Sequence, residues 1–242
     1  MARLRARRLS RWLLGGIVAL VILVVGGTWL YIHVIEGPAP APLSLRSGST
    51  TSPPAGASSG TAGTASDASL AGEWRVAAGS VVGYRVNEVL AGQNNVAVGR
   101  TSDISGSMTI DGSTVTAASF TVQMATIHSD QSERDAQFDG RIMDTASFPT
   151  GTLTLTTPID LGTVPPDGVA RSYQATASLA LHGHTRAVTV TLAAERTSTG
   201  IEVSGSIPIV FADWGIANPS FGSFVTTQDH GLLEFLITFS QT

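Results

Sequence analysis

Neither cysteine nor lysine occurs among the 242 residues of this chain. The first absence excludes disulfides, thiolate metal sites, a catalytic thiol and the lipidated cysteine of a lipoprotein. Any attachment to a membrane must then run through the polypeptide itself. The second absence leaves arginine to supply all fourteen basic charges, and Arg3, Arg5, Arg7, Arg8 and Arg11 stand within the first eleven residues. From Ala71 onward eight arginines face sixteen Asp plus Glu, so this part carries about −8 against −4 for the whole chain. A domain this acidic is a poor candidate for nucleic-acid binding.

Charge is missing altogether from residues 12–35. Twenty-four residues rising about 1.5 Å each reach about 36 Å, enough to cross a hydrocarbon core of ~30 Å with some tilt. Trp12 at one end and Trp29 and Tyr31 at the other lie where amphipathic rings favour the membrane interface. The run is longer than the apolar region of a cleaved signal peptide, and the nearest small-residue site, Ala39-Pro40-Ala41, is followed by Pro42. Residues 12–35 are therefore expected to form a retained transmembrane signal anchor. The arginine cluster in residues 1–11 would stay cytoplasmic and everything downstream would lie outside the cytoplasm, at the cell membrane.

Residues 36–72 are rich in Pro, Ala, Gly, Ser and Thr with few large apolar side chains. Such a segment cannot offset its ordering entropy by burial, so it is expected to be a flexible linker with a root-mean-square reach of about 30 to 36 Å. No internal repeat is visible.

Residues 73–242 change character, to short runs of period two separated by Gly, Asp, Asn and Pro. This is the pattern of antiparallel strands that face a core on one side. Val82, Tyr84 and Val86 alternate with other residues, as do Phe120, Val122 and Met124, then Leu153 and Leu155. Ala175, Ala177, Leu179 and Leu181 follow, then Val188, Val190 and Leu192, and finally Leu233, Phe235, Ile237 and Phe239. In the last run Glu234 and Thr238 mark the face expected to meet water. A terminal strand so apolar is a hazard as an open edge, so it is expected to pair with the first strand. Asp130-Gln131-Ser132-Glu133 reads as a capping box for one short helix running toward Met143, joining the third strand to the fourth, and Phe148-Pro149-Thr150-Gly151 reads as the turn that restarts the sheet.

The order of these features resembles the YceI-like family, the lipid or polyisoprenoid-binding domains of bacterial cell envelopes. The resemblance spans Glu73 to Phe239. It is carried by Ser80-Val81-Val82-Gly83-Tyr84-Arg85-Val86, by Thr126-Ile127 leading to Arg134-Asp135 with Phe138 beyond, and by Phe148-Pro149. Leu179-Ala180-Leu181-His182-Gly183 before Val188, and Ile207-Pro208-Ile209 leading into Phe211-Ala212-Asp213-Trp214, complete it. The strings are specific in their order rather than singly. Ile142-Met143-Asp144, where family members carry an aromatic-rich helix end, and Tyr84 in place of a more frequent Phe depart from the pattern.

The resemblance implies an all-β, eight-stranded antiparallel barrel of lipocalin-like form with one short helix, preceded here by the single transmembrane helix. It implies a lumen holding a polyisoprenoid, an isoprenoid quinone or another long apolar chain, with no enzymatic activity and no cofactor. An eight-stranded barrel either fills with side chains or leaves room for one small ligand. Small residues at Ala175 and Ala177, and Ser80, Gly83, Gly99 and Gly106 in or beside strands, are expected to leave that room. The candidate lumen residues are Val82, Tyr84, Val86, Phe120, Val122, Met124, Leu153, Leu155, Ala177, Leu179, Leu181, Val188, Val190, Leu192, Trp214, Leu233, Phe235 and Ile237.

Other residue types invite sharper readings. His182-Gly183-His184 has no third metal ligand near it in sequence and reads better as a hairpin turn. Ser129 with His128 and Asp130 lacks any surrounding nucleophile motif. Arg134 and Asp135 read as a structural ion pair or capping contact near a barrel mouth, with ligand contact as the alternative. The rival to a lipid carrier is a filled, ligand-free envelope domain that acts by protein–protein interaction.

Overall fold

The computed structural model describes residues 39–46, 70–90, 92–222 and 225–242. The basic tail of residues 1–11 and the apolar run of residues 12–35 lie outside them. Among the described residues no helix is long and apolar enough to cross a membrane.

In chain order the strands are β1 (Gly72–Val76), β2 (Val81–Leu90), β3 (Gln93–Thr101), β4 (Ile104–Asp111), β5 (Thr114–Gln123), β6 (Thr150–Leu155), β7 (Ile159–Asp160), β8 (Arg171–Leu181), β9 (His184–Thr197), β10 (Gly200–Val210), β11 (Val225–Thr227) and β12 (His230–Gln241). Every pairing is antiparallel. The ring runs β1, β4, β5, β6, β8, β9, β10, β12 and closes where Trp74 meets Gln241 and Val76 meets Phe239. The last strand therefore pairs with the first, and no long apolar edge remains.

Eight barrel strands arise from twelve segments because four walls are interrupted, β6 and β7 lying end to end along β5, and β12 and β11 along β2. β1 and β2 lie end to end along β12, which pairs with β1 up to Val76 and resumes with β2 from Val81. Residues 77–80 form the jog, held by the Ser80 hydroxyl, which donates to Ala77 O at 2.8 Å and accepts from Thr238 N at 3.0 Å. β3 and β4 form the neighbouring wall in the same way, β3 on β2 and β4 on β1. Counted so, β5 and β6 are the third and fourth barrel strands, and the helix connects them as expected.

That helix (Ser132–Gln137) continues as a single π turn (Phe138–Ile142). The capping box does not form, since Gln131 at the N-cap makes no side-chain cap bond. The neighbouring turn is satisfied by Asp135 instead, whose carboxylate accepts from Ser129 N at 2.8 Å and from the Ser129 hydroxyl at 2.7 Å. Asp135, one turn inside the helix, reaches back to the chain before it and not to the first N–H groups of the helix, which a capping Ser would serve.

The small residues do not open the lumen as a group. A Cβ on Gly99 would sit 2.3 Å from the Tyr84 ring, and one on Gly83 would sit 1.9 Å from Gly99 O. The ring of Tyr84 fills the space at Gly99, and the backbone itself fills that at Gly83. These glycines let two walls approach closely.

One stretch of the expected linker is seated on the barrel. In residues 39–46, the Pro40 and Ala41 carbonyls accept from Arg85 Nη2 (2.6 Å) and Arg100 Nη2, Leu45 is buried, and Arg46 pairs with Glu202 and donates to Gly79 O at 2.5 Å. Under this strap the outer faces of β10 and β12 are dry. Glu202 and Glu234 are buried, and so are Ser204 and Leu236. Glu234, expected to face water, instead accepts from Arg85 Nε at 2.7 Å and lies 3.7 Å from Arg100 Nη2. Two guanidinium groups thus flank this buried carboxylate.

Candidate lipid-binding lumen

Inward-facing alternation turns the barrel interior into an apolar tube with two chambers. The upper, of about 600 Å³, lies toward the helix, and the lower, of about 120 Å³, lies toward the opposite end. The upper volume falls within the range of small-molecule sites, roughly 300–1,000 Å³. Phe120, Leu153, Phe235 and Ile237 border both chambers and form the waist between them.

Sixteen of the eighteen candidate residues border one chamber or the other. Val82, Tyr84, Val86, Val122, Met124, Leu179, Leu181 and Leu233 line the upper chamber, while Leu155, Ala177, Val190 and Leu192 line the lower. Two do not border the cavity. Val188, opposite Ala177 in the β8–β9 pair, is half-buried and packs against the core where side chains close the wall. Trp214 lies beyond β10, in the 3₁₀ turn Phe211–Trp214, where period two has ended. It is a plug. Its carbonyl lies 3.0 Å from His182 Nδ1 and its ring lies 6.0 Å from the Arg186 guanidinium.

The alternation rule missed contributors from outside the strands it marked. Ile207 and Ile209 of β10, Phe211 and Ile216 beyond it, and Phe138 and Ile142 of the helix and π turn also line the upper chamber. Ile207-Pro208-Ile209 does alternate, and this was the available signal. Phe138 stacks on Tyr84 with ring centroids 5.2 Å apart, so the helix caps the tube with an aromatic pair.

The open end carries a collar of polar side chains: Glu88, Gln131, Glu133, Arg134, Gln137 and Arg141. Arg134 reaches Glu88 at 3.2 Å and also pairs with Asp130, so the expected ion pair forms with these partners rather than with Asp135. Burial draws the Arg134 guanidinium down, but Glu88 and Asp130 outweigh it and the group stays above its ordinary pKa. Burial is also the main reason the Tyr84 phenol is pushed up to about 12, with Arg134 opposing. The collar thus gathers fixed charges over a mostly apolar tube, whose lower chamber is also bordered by Glu195 and Arg196.

The remaining candidates have structural partners. His182 (φ +47°) and Gly183 (φ +74°) form the tight turn between β8 and β9, with His182 against the Phe148 ring at 4.7 Å. His128 and Ser129 both converge on Asp135, at 3.3 and 2.7 Å, so the histidine serves that carboxylate. Among the described residues no cluster of three or more His, Asp or Glu is arranged to hold a metal.

A closed eight-stranded antiparallel barrel with an apolar, tubular interior and a polar collar at its open end is a barrel with room for one small ligand. More narrowly, a YceI-like domain is matched over residues 74–239, and the chain belongs to that family. Among solved structures, a polyisoprenoid-binding domain from Saccharophagus degradans, implicated in plant cell wall breakdown, is similar in fold, with a TM-score of 0.58 at 16% identity. The match covers 71% of this chain and 99% of that one. BcnA of Burkholderia cenocepacia is also similar, with a TM-score of 0.50 at 18% identity over 64% of this chain and 95% of its own. No curated protein matches the chain in sequence.

Proposed function

We propose that this chain is a membrane-anchored, extracytoplasmic lipid-binding protein whose lumen holds one long apolar chain, a polyisoprenoid or an isoprenoid quinone. The observation that carries the reading is the apolar upper chamber of about 600 Å³, continued at the waist toward a second chamber. Each CH₂ moved there from water contributes on the order of 0.8 kcal/mol, so a chain of several isoprene units binds tightly without any directed hydrogen bond. The polar collar suits the hydrated end of such a molecule, and the solved relative described as polyisoprenoid-binding supports the ligand class. Residues 12–35 serve as the membrane span, with residues 1–11 in the cytoplasm.

The rival, a ligand-free domain working through protein contacts, calls for a filled interior, and an open chamber of this size speaks against it. Native mass spectrometry of the full chain after mild detergent extraction tests the proposal. Adducts of isoprenoid mass that survive dilution are the expected result. A barrel that carries no apolar adduct, and takes up neither an octaprenyl quinone nor a polyprenol when offered, would overturn it.

A further inference from the structure

The strap of residues 39–46 has a direction. Its Arg46 end lies at the level of Glu202 and Thr238, low on the barrel. Its Pro40 end lies at Arg85, which pairs with Leu232 near the top of β12. Read backward, toward the apolar run of residues 12–35, the chain therefore climbs toward the open end. Only residues 36–38 separate that run from Ala39, which allows at most about 14 Å between Ile35 and Ala39. From the level of Arg85 to Leu90 at the rim, β2 rises about 17 Å. A span ending at Ile35 is thus held within about 14 Å of Ala39, on the strap side of the upper barrel.

Exposed apolar side chains collect on this upper half, at the rim and below it on the strap side. Five large ones are exposed among the described residues: Val89 (36%), Leu232 (36%), Val210 (46%), Val169 (48%) and Phe221 (70%). Phe221 and Val89 stand at the rim beside Val225 and Leu90, whereas Leu232 lies at the level of Arg85 and Val210 two residues above it, on the strap side below the rim. Val169 alone lies toward the other end. The exposed Asp229–His230 pair shares the upper end and belongs at headgroup depth, which limits insertion to the tips of the apolar side chains.

We infer that the strap fixes the barrel mouth-down on the bilayer in which the chain is anchored, with Phe221 and Val89 seated in its outer surface. Lipid then passes between the leaflet and the lumen along a continuous apolar path and never crosses water. The inference rests on the lipid-binding reading of the lumen and on residues 12–35 as a span, and it adds an orientation that neither contains.

The absence of cysteine makes the test direct. Single variants Val89→Cys at the rim and Thr199→Cys at the far end of the full chain are labelled with NBD and reconstituted into phosphatidylcholine–phosphatidylglycerol vesicles containing doxyl-labelled lipid. Quenching at position 89 should exceed that at 199 by at least about threefold, as a surface-seated group does. The added pair Leu45→Ser and Arg46→Ala, which frees the strap and leaves the barrel walls intact, should remove that difference. Equal quenching at the two positions, stronger quenching at 199, or none at either overturns the inference. Native mass spectrometry on the same preparation separates the two readings. A seated rim with an empty lumen sustains the orientation and sinks the lipid reading, whereas a loaded lumen with an unquenched rim sinks the orientation alone.

Discussion

Removing the Glu234 carboxylate leaves Arg85 and Arg100 without their shared counter-charge beneath the strap. Breaking one partner of a buried ion pair costs about 3 to 5 kcal/mol, and Glu234 is 4% exposed. Glu234→Ala should therefore lower unfolding free energy by about 3 kcal/mol, read by urea denaturation of residues 39–242, and should speed proteolysis within residues 39–46. A loss under about 1 kcal/mol would show that water compensates the cluster. Tyr84 supplies a second residue-level expectation. Its phenol titrates at about 12 when folded, against ~10 in the unfolded chain, so the unfolded state gives up its proton first. The stabilising contribution is complete below pH 10 and is lost as pH rises to about 12, an effect on the order of 2 kcal/mol. Denaturation curves across this window should fall less steeply for Tyr84→Phe, and an unchanged slope would remove Tyr84 as the cause.

Among the elements, the strands of the lumen were legible because one face of each is apolar and the side-chain period of two is strict. That rule placed Phe120, Leu179 and Phe235 on the lumen without reference to any partner. It failed where the chain leaves the sheet, at Trp214, and where an outward polar residue is covered, at Glu234. The strap was illegible for a related reason. Pro40-Ala41-Pro42-Leu43 has no period, and its neighbour Arg46 finds its partner Glu202 156 positions away. Nor could composition divide the tube into chambers, which depends on how rings such as Phe120 and Phe239, 5.6 Å apart, meet across the lumen. The division bears on Ala177, which lines the lower chamber only. Ala177→Trp should fill that chamber of about 120 Å³ and leave the upper one open. Overpacking costs about 1 to 3 kcal/mol, so the fold should survive. Competition between polyprenols of increasing length, scored by native mass spectrometry, should shift toward the shorter ones in this variant. Equal exclusion of all lengths would mean that the waist, not the floor, limits the ligand.

At the scale of the whole molecule, the ring is closed by pairs that lie entirely between Gly72 and Gln241, so the strap adds to a barrel already complete. Its contribution can be isolated by comparing residues 39–242 with residues 70–242. Losing Leu45 forfeits roughly 2 kcal/mol of apolar burial, and losing Arg46 strips Glu202 of a partner. A difference of this size lowers Tm by about 4 to 8 °C in a domain of some 170 residues. The shorter chain should thus fold, with the same far-ultraviolet spectrum and the lower Tm. If the two melted together, the strap would hold the barrel without stabilising it, and its docking would have to be weak enough to open at the membrane. If the shorter chain failed to fold, ring closure would depend on the strap. The intermediate result separates two duties that one continuous chain performs: the ring keeps the tube dry, and the strap shortens the linker from residues 36–72 to the three residues 36–38 on the membrane side. On the proposal that residues 12–35 span a membrane, a barrel held that closely cannot roam the 30 to 36 Å that a free linker of that length allows, and so presents its lumen at one place on the membrane surface.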